Sequence, residues 1–512
     1  MKTKFKVCIV SAEMTPFAKV GGLADVANSL SRTLASMGHE VSVFVPRYGF
    51  LDAQDMGMKK VKLNGDVRVR LGNDTKSVEL WQCSLRGSKA TIYLVANDYL
   101  LGRNGVYGDP ETRYDYPDNA LRFTFFSRAV LEIIKNLSLQ YDVIHVNDHQ
   151  TGLIPLLMKE EYASEKSLAS TATLFTIHNL GYQGVYPREM LSEAGLPEEL
   201  AYAMGPLEFW GKINFMKAAI VYADLISTVS ETYAKEIQTG EEYGCGLEGV
   251  LRARSEDLFG VLNGADYVAW NPSTDRYIPY KYGLGNIKDK IKNKLHFIEK
   301  HKLGDLTEKS FVMGIVSRLA DQKGFDLLEA VADELMTMDV GLAVLGTGQQ
   351  RYHDFFTRLE ERYPGKVSVS LDFNEKLAHV IEAASDVFLM PSRYEPCGLN
   401  QMYSMRYGTV PIVRFTGGLA DTVKPYNSVT GEGTGFVFHD YSVAALMDAV
   451  GTAYGVFQDN EQWETLMKNA MQQDFSWKRA AKGYEELYKR AVGKKCSAPF
   501  ADWVCSVSEK TL

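Results

Sequence analysis

Phe5-Lys6-Val7-Cys8-Ile9-Val10 leads to Gly21-Gly22-Leu23-Ala24-Asp25, and Val410-Pro411-Ile412-Val413-Arg414-Phe415 leads to Gly417-Gly418-Leu419-Ala420-Asp421. The same pentapeptide thus follows two strand-like runs, and each copy opens a stretch that suits a helix. A glycine pair ahead of a helix lets the backbone come close to a ligand. It also aims N–H groups at that ligand, where the helix dipole favours an anion. Two such turns suggest one ligand held from two sides. A shared pentapeptide arises by accident in a chain this long at odds of about one in ten, so the surroundings decide.

Outward from these turns, short β-branched runs alternate with helical patterns almost throughout. Val41 to Val45, Val143 to Val146, Thr173 to Ile177 and Leu225 to Val229 read as buried strands, as do Phe311 to Val316, Leu342 to Leu345, Val367 to Val369 and Val387 to Met390. Helix-length periodic segments lie between many of them, for example Asn119 to Lys135, Phe325 to Met336 and Gln349 to Tyr363. The alternation predicts an α/β protein with parallel sheets. From Lys59 to Val95 three strand-like runs follow one another with turn signals at Asn64-Gly65, Gly72-Asn73 and Arg86-Gly87-Ser88. A small antiparallel insertion is expected there. The best boundary lies at Leu262-Asn263-Gly264, where a strand ends in a turn dipeptide.

At 512 residues the chain exceeds one ordinary core, so two domains are the default. Its 46% apolar and 23% charged residues are ordinary for a globular protein. No apolar run approaches a membrane span, and the basic start Met1-Lys2-Thr3-Lys4 is followed by an apolar stretch too short for a signal sequence. A net charge of −8 with dispersed Lys and Arg argues against nucleic acid as the partner. Six cysteines without close-pair metal spacing suggest a reducing, cytoplasmic compartment, with Cys496 and Cys505 as thiols rather than a pair.

Several residues sit where ligands meet α/β sheets, beyond the carboxyl ends of strands. Lys19 beside the first glycine pair makes an anion site, or else is a surface lysine before a tight turn. Arg318 and Lys323 follow a buried strand and suit a diphosphate; otherwise they belong to a solvated loop. Glu395, between Pro391 and Gly398, is aimed at sugar hydroxyls or else favoured by a helix start. His178 stands at a strand end before a glycine loop, as a polar contact or a satisfied core residue. Asp148 has the same address, with a helix N-cap as its alternative. No two aspartates are spaced i, i+2, and there is no Walker A sequence, no Gly-x-Ser-x-Gly elbow and no pattern around His145 and His149 to support a metal.

In this order the segments resemble the bacterial glycogen synthases, equivalently the plant starch synthases, over nearly the whole chain. The resemblance rests on Ser11-Ala12-Glu13, Lys19-Val20-Gly21-Gly22-Leu23, Thr176-Ile177-His178-Asn179-Leu180-Gly181-Tyr182-Gln183-Gly184 and Val261-Leu262-Asn263-Gly264. It continues through Ser317-Arg318, Gln322-Lys323-Gly324, Arg393-Tyr394-Glu395-Pro396-Cys397-Gly398-Leu399 and Thr416-Gly417-Gly418-Leu419-Ala420-Asp421-Thr422-Val423. It implies the GT-B fold, two Rossmann-like domains facing across a deep cleft: 1–262 on the acceptor side and 263–477 for the nucleotide sugar. A final helix within 478–512 is expected to pack back on the first domain.

The implied activity moves glucose from ADP-glucose to the non-reducing end of an α-1,4-glucan, with retention and without metal or other cofactor. Arg318 and Lys323 would bind the donor diphosphate, Glu395 would orient the glucose, and the His178 carbonyl would favour an oxocarbenium-like sugar. Lys19 with Gly21 and Gly22 would complete the diphosphate site on closure. Asp25 and Asp148 would contact sugar or acceptor, and the amides around Gly417 and Gly418 would cradle phosphate. Asn179, Asn263, Cys397, Gly398, Leu399, Tyr403 and Thr416 carry over from the same motifs as substrate-binding positions. Phe373 is expected to stack on the base, and Asp421 to be a helix-start residue. The chain departs from the commoner family pattern at Val20, where Thr is usual. It also has Tyr403 where related retaining enzymes carry a second Glu. A UDP-glucose-dependent synthase is the nearest alternative. A non-catalytic glucan- or nucleotide-binding protein on the same scaffold is the more distant one.

Overall fold

The structure, a computed structural model, describes residues 4–497 except 53–54, 86 and 113. Arg86 of the expected turn, Met1 to Thr3, Cys505 and the part of the expected final helix beyond Ser497 lie outside the described residues. The chain forms two compact units. One comprises the residues up to Val229, Ala234–Val261 and the chain from Trp477; the other comprises Ser230–Tyr233 and Leu262–Ser476.

The first unit is built on a nine-stranded sheet. Its order is Leu258–Gly260, Leu225–Thr228, Ala172–Ile177, Val143–Asn147, Lys6–Val10, Glu40–Pro46, Thr91–Ala96, Glu79–Ser84 and Lys59–Lys60. The first seven run parallel, Glu79–Ser84 runs against them, and Lys59–Lys60 pairs antiparallel with Glu79–Ser84. Val143–Asn147 and Ala172–Ile177 are buried at every position, as expected of strands covered on both faces by helices. The first parallel strand, Lys6–Val10, is central, and the strand order reverses between it and Val143–Asn147. Ligands in such sheets bind at this reversal, outside the carboxyl ends.

The expected antiparallel insertion is present: Lys59–Lys60 pairs antiparallel with Glu79–Ser84, and Glu79–Ser84 with Thr91–Ala96. Thr91–Ala96 also pairs in parallel with Glu40–Pro46, so the insertion is joined to the central sheet. The apolar run of Thr91–Ala96 is buried inside, whereas the polar hairpin Arg68–Leu71 and Asp74–Ser77 stands apart as a two-stranded sheet. A second small sheet, from Val185–Tyr186, Lys212–Asn214 and Glu208–Phe209, uses strands too short for periodicity to reveal.

The helix Trp477–Ser497 completes the first unit. Trp477, Ala480, Ala481, Tyr484, Leu487, Tyr488 and Ala491, spaced by three and four, form one apolar stripe inside that unit's core. Tyr488 O–H reaches His145 Nδ1 at 3.0 Å, and the other ring nitrogen of His145 meets Thr176 Oγ1 at 2.6 Å. Burial pushes the His145 pKa down to about 3, so this ring is a neutral core group.

The second unit repeats the topology on a six-stranded, all-parallel sheet. Its order is Val367–Ser370, Val340–Leu345, Phe311–Val316, Val387–Met390, Val410–Arg414 and Phe436–Phe438. Here the reversal lies between Phe311–Val316 and Val387–Met390. Among the described residues no helix is long and apolar enough to cross a membrane.

Candidate active site

In the first unit, the chain leaves Lys6–Val10 at the reversal and loops back before the helix Gly22–Ser36 begins. Glu13, only 3% exposed, organises that loop. The N–H groups of Val20 and Gly21 donate to its Oε2 at 2.5 and 2.8 Å, and the Tyr107 hydroxyl donates to Oε1. Of the glycine pair expected to offer its amides to a phosphate, Gly21 therefore already gives its N–H to a carboxylate. Lys19 Nζ pairs with Asp25 at 2.8 Å, and Thr15 Oγ1 donates to the same carboxylate at 3.0 Å. A Cβ placed on Gly21 or Gly22 would meet nothing within 4 Å.

Asp148 and His178 follow the neighbouring strands. Asp148 does not cap a helix with its side chain. Its Oδ1 accepts the His178 N–H at 2.8 Å, while its own backbone sits at φ 53°, ψ −178°. That conformation is rare for any residue with a Cβ, and such strain concentrates at functional sites. Burial is the main cause that pushes the Asp148 pKa up to about 7; Glu13 adds to it, against hydrogen bonds from the His178 and Asn179 amides. Asn147 Nδ2 donates to Val10 O at 3.1 Å, which turns its Oδ1 toward His178 Nε2, 2.9 Å away. His178 thus carries its proton on Nε2. Burial lowers its pKa to about 3, which keeps it neutral. The Asn179 side chain turns back to accept the Gly181 N–H at 3.0 Å.

In the second unit the two strand ends at the reversal are stitched together. Lys323 Nζ lies 2.6 Å from Glu395 Oε2, and Ser392 Oγ donates to the same oxygen at 3.0 Å. Gln322 Nε2 donates to Tyr394 O at 3.2 Å, and Arg393 N–H to Gln322 O at 2.9 Å. Arg318 leans on Gln322 Oε1 at 3.4 Å from an exposed position. Gly324, at φ +72°, passes so close to Pro391 that a Cβ would stand 1.9 Å from its carbonyl oxygen.

The second glycine pair rests on the Glu395 to Cys397 backbone. A Cβ on Gly417 would come within 2.0 Å of Glu395 O, and one on Gly418 within 2.0 Å of Cys397 O. Gly418 N–H donates to Glu395 O at 3.0 Å, so this turn carries Glu395 rather than standing open like the first. Thr416 is fully buried ahead of it. Gln401 Nε2 ties down the Cys397 and Gly398 carbonyls at 3.0 and 2.9 Å, just before the helix that Leu399 leads into. Burial pushes the Cys397 thiol up to about 12, despite the Asn263 hydrogen bonds beside it, which makes it a neutral packing group. Asn263 is itself buried, and its Oδ1 has no hydrogen-bond partner among the described residues.

Of three further positions, one departs from expectation, Asp421. Tyr403 is buried and stacks on Trp270 at 4.3 Å, with His379 stacked on the same indole at 3.7 Å. Asp421 is not a helix-start residue. It lies near the end of the six-residue helix Gly417–Thr422, and it accepts Thr232 N–H at 2.9 Å and Thr232 Oγ1 at 2.5 Å. Phe373 is 83% exposed on the loop ahead of the helix Glu375–Ala384. Glu13, Tyr107, Ser392 and Gln401 were not foreseen as site residues. The one signal was Glu13 itself, an acid interrupting the first apolar run.

Residues 6–253 match the family described as "Starch synthase catalytic domain", and residues 297–470 match "Glycosyl transferases group 1". The chain is 46% identical over 492 residues to a glycogen synthase of Thermotoga maritima, covering 96% of this chain and 99% of that protein. It is 45% identical over 493 residues to one of Fervidobacterium nodosum, with the same coverage. Among solved structures, the catalytic domain of starch synthase IV from Arabidopsis thaliana, bound to ADP and acarbose, matches at a TM-score of 0.85 and 31% identity. That match covers 96% of this chain and all of the other.

Proposed function

The chain belongs to the glycogen and starch synthase family and is a GT-B glucosyltransferase, and from its two half-sites we propose how it acts and on what. The donor is ADP-glucose, and the acceptor is the non-reducing end of an α-1,4-glucan, elongated with retention. The nucleotide is carried by one observation: the catalytic domain of starch synthase IV, similar over the whole of the solved chain, was solved with ADP bound. Residues 1–262, with the final helix, form the acceptor-side domain, and 263–477 the nucleotide-sugar domain.

Lys323 and Arg318 meet the donor diphosphate and stabilise the charge that develops on it as the glycosidic bond breaks. Charged donors fixed before reaction are the largest electrostatic term available to such a site. Glu395 keeps Lys323 and Ser392 on Oε2 and offers Oε1 to the glucose hydroxyls. Its placement is supported by the glycine pair beneath it, which admits no side chain. His178, neutral and held by Asn147, lends its backbone carbonyl to the electron-poor sugar. Lys19 approaches the diphosphate after exchanging its contact with Asp25, while Asp25 and Asp148 contact sugar or acceptor. Phe373 stacks on the base, with Asn179, Asn263, Leu399 and Thr416 around the substrates. A cytoplasmic site of action is supported by five free cysteines among the described residues.

The deciding measurement is incorporation of label from ADP-glucose or UDP-glucose into precipitated glycogen. ADP-glucose is expected to be the better donor. Preference for UDP-glucose overturns the nucleotide, and no incorporation from either overturns the activity.

A further inference from the structure

We propose that Glu13 is a positioning residue that holds the Lys19-to-Gly21 turn in its working shape and ties it to the loop around Tyr107. The role deepens the glucosyltransferase reading and rests on it.

Three observations within the first unit carry the inference. The first is the acceptor geometry. A buried carboxylate is costly unless its oxygens are matched by donors. Glu13 receives two consecutive backbone amides on one oxygen and a hydroxyl on the other. The second is what else could hold the turn. With open space around the Cβ directions of Gly21 and Gly22, side-chain packing does not lock it. The Glu13 carboxylate is the contact that takes its Val20 and Gly21 amides, beside the Lys19–Asp25 pair.

The third is the far end of the link. Tyr107 belongs to a loop gripped from beneath. Arg122, fully buried, donates to the carbonyls of Leu100 at 2.7 Å and Val106 at 3.0 Å, and Asn119 Nδ2 donates to Tyr107 O at 2.8 Å. A cavity of about 480 Å³ lies between turn and loop, lined by Lys19, Val20, Phe50, Asn104, Tyr107 and Asp115. Whatever enters it touches both structures that Glu13 joins. The turn therefore meets the donor through Lys19 and the first helix amides, those of Gly22, Leu23 and Ala24, which have no intrahelical acceptor. Val20 and Gly21 N–H are already taken.

The test compares Glu13→Ala, Glu13→Gln, Lys19→Ala and the double variant Glu13→Ala/Lys19→Ala. Glu13→Ala should lower kcat by at least about tenfold with donor KM changed less than about threefold, because a misplaced group is lost from the transition state rather than from ground-state binding. Glu13→Gln, whose carbonyl can accept both amides and whose NH2 can meet the Tyr107 oxygen, should keep roughly a third or more of the rate. The double variant should be no more than about threefold slower than Lys19→Ala alone, since Glu13 acts through that turn. A normal rate in Glu13→Ala, a Glu13→Gln as slow as Glu13→Ala, or losses that multiply overturns the proposal. Amide exchange at Val20 and Gly21, read without any donor, should quicken at least about tenfold in Glu13→Ala. Unchanged exchange overturns the proposal whether or not the protein transfers glucose. Wild-type protein inactive with both donors overturns the function alone. If Glu13→Ala does not accumulate, Tyr107→Phe carries the exchange test, with faster exchange at Val20 and Gly21 expected and unchanged exchange against.

Discussion

Lys323 Nζ and Glu395 Oε2 lie 2.6 Å apart at the ends of neighbouring parallel strands, so the cation assigned to the departing diphosphate and the carboxylate assigned to the sugar hold each other in place. Lys323→Ala removes the cation and leaves Glu395, a buried acid, with Ser392 as its remaining partner. Turnover should fall at least about tenfold, equal to about 1.4 kcal/mol in the barrier. Urea unfolding should show a further cost of roughly 1–3 kcal/mol. Lys323→Ala/Glu395→Gln should recover much of the stability and none of the rate. Normal turnover in Lys323→Ala removes Lys323 from the site.

The two glycine pairs should respond oppositely to alanine. Gly417→Ala forces a Cβ into Glu395 O at a φ of +44°, and should cost roughly 3 kcal/mol or more in unfolding. Gly21→Ala meets open space at a φ of −137° and should unfold within about 0.5 kcal/mol of the parent. Any loss of activity in Gly21→Ala then reports crowding of a substrate. Equal destabilisation by both would contradict the difference in their surroundings.

Asp148 supplies a pH test. Its folded pKa of about 7 stands above the ordinary value of 3.8, with burial the main cause. Below both values the group is protonated in either state and contributes nothing. Between them the unfolded chain gives up the proton and the folded chain keeps it, so folding stability declines as pH rises from about 4 to 7 and then levels. Asp148→Asn, which still accepts the His178 N–H, should flatten that decline in denaturant titrations taken across the range. An unchanged slope would show that Asp148 is ionised normally.

Tyr488→Phe tests the last helix. It strips the partner from His145 Nδ1 in a fully buried setting. The cost should be about 1 kcal/mol by chemical unfolding, with little effect on turnover. A rate loss beyond a few-fold would connect the core of the first unit to catalysis.

The strands at Phe311–Val316 and Val387–Met390 could be read residue for residue, because buried parallel strands leave short uninterrupted apolar runs. Thr91–Ala96 keeps its expected antiparallel neighbour, but its parallel pairing with Glu40–Pro46 was not legible, because periodicity shows that a strand exists but not which neighbours it pairs with. In the site, strand-end cations and acids such as Lys323 and Glu395 were visible by address. The partners that orient them were not. Glu13, Ser392 and Gln401 act across 3 to 94 positions of chain, and no local pattern encodes that. The repeated pentapeptide also reads differently on the fold. Its first copy follows the first strand of one sheet and its second the fifth parallel strand of another, so the copies are not equivalent parts of a duplicated unit. The counterpart of the first turn in the second unit is the segment carrying Arg318 and Lys323.

The helix Trp477–Ser497 has a consequence in time. The first unit's sheet strands have all been synthesised by Gly260, yet the stripe that closes its core is made only after the entire second unit. At about 5–20 residues per second that interval is on the order of tens of seconds. Throughout it, the surface that will receive Tyr484 and Tyr488 is bare on a tethered nascent chain. A helper that shields this patch, or a pace of translation that shortens the wait, would govern yield far more than the strength of any single contact in the finished enzyme.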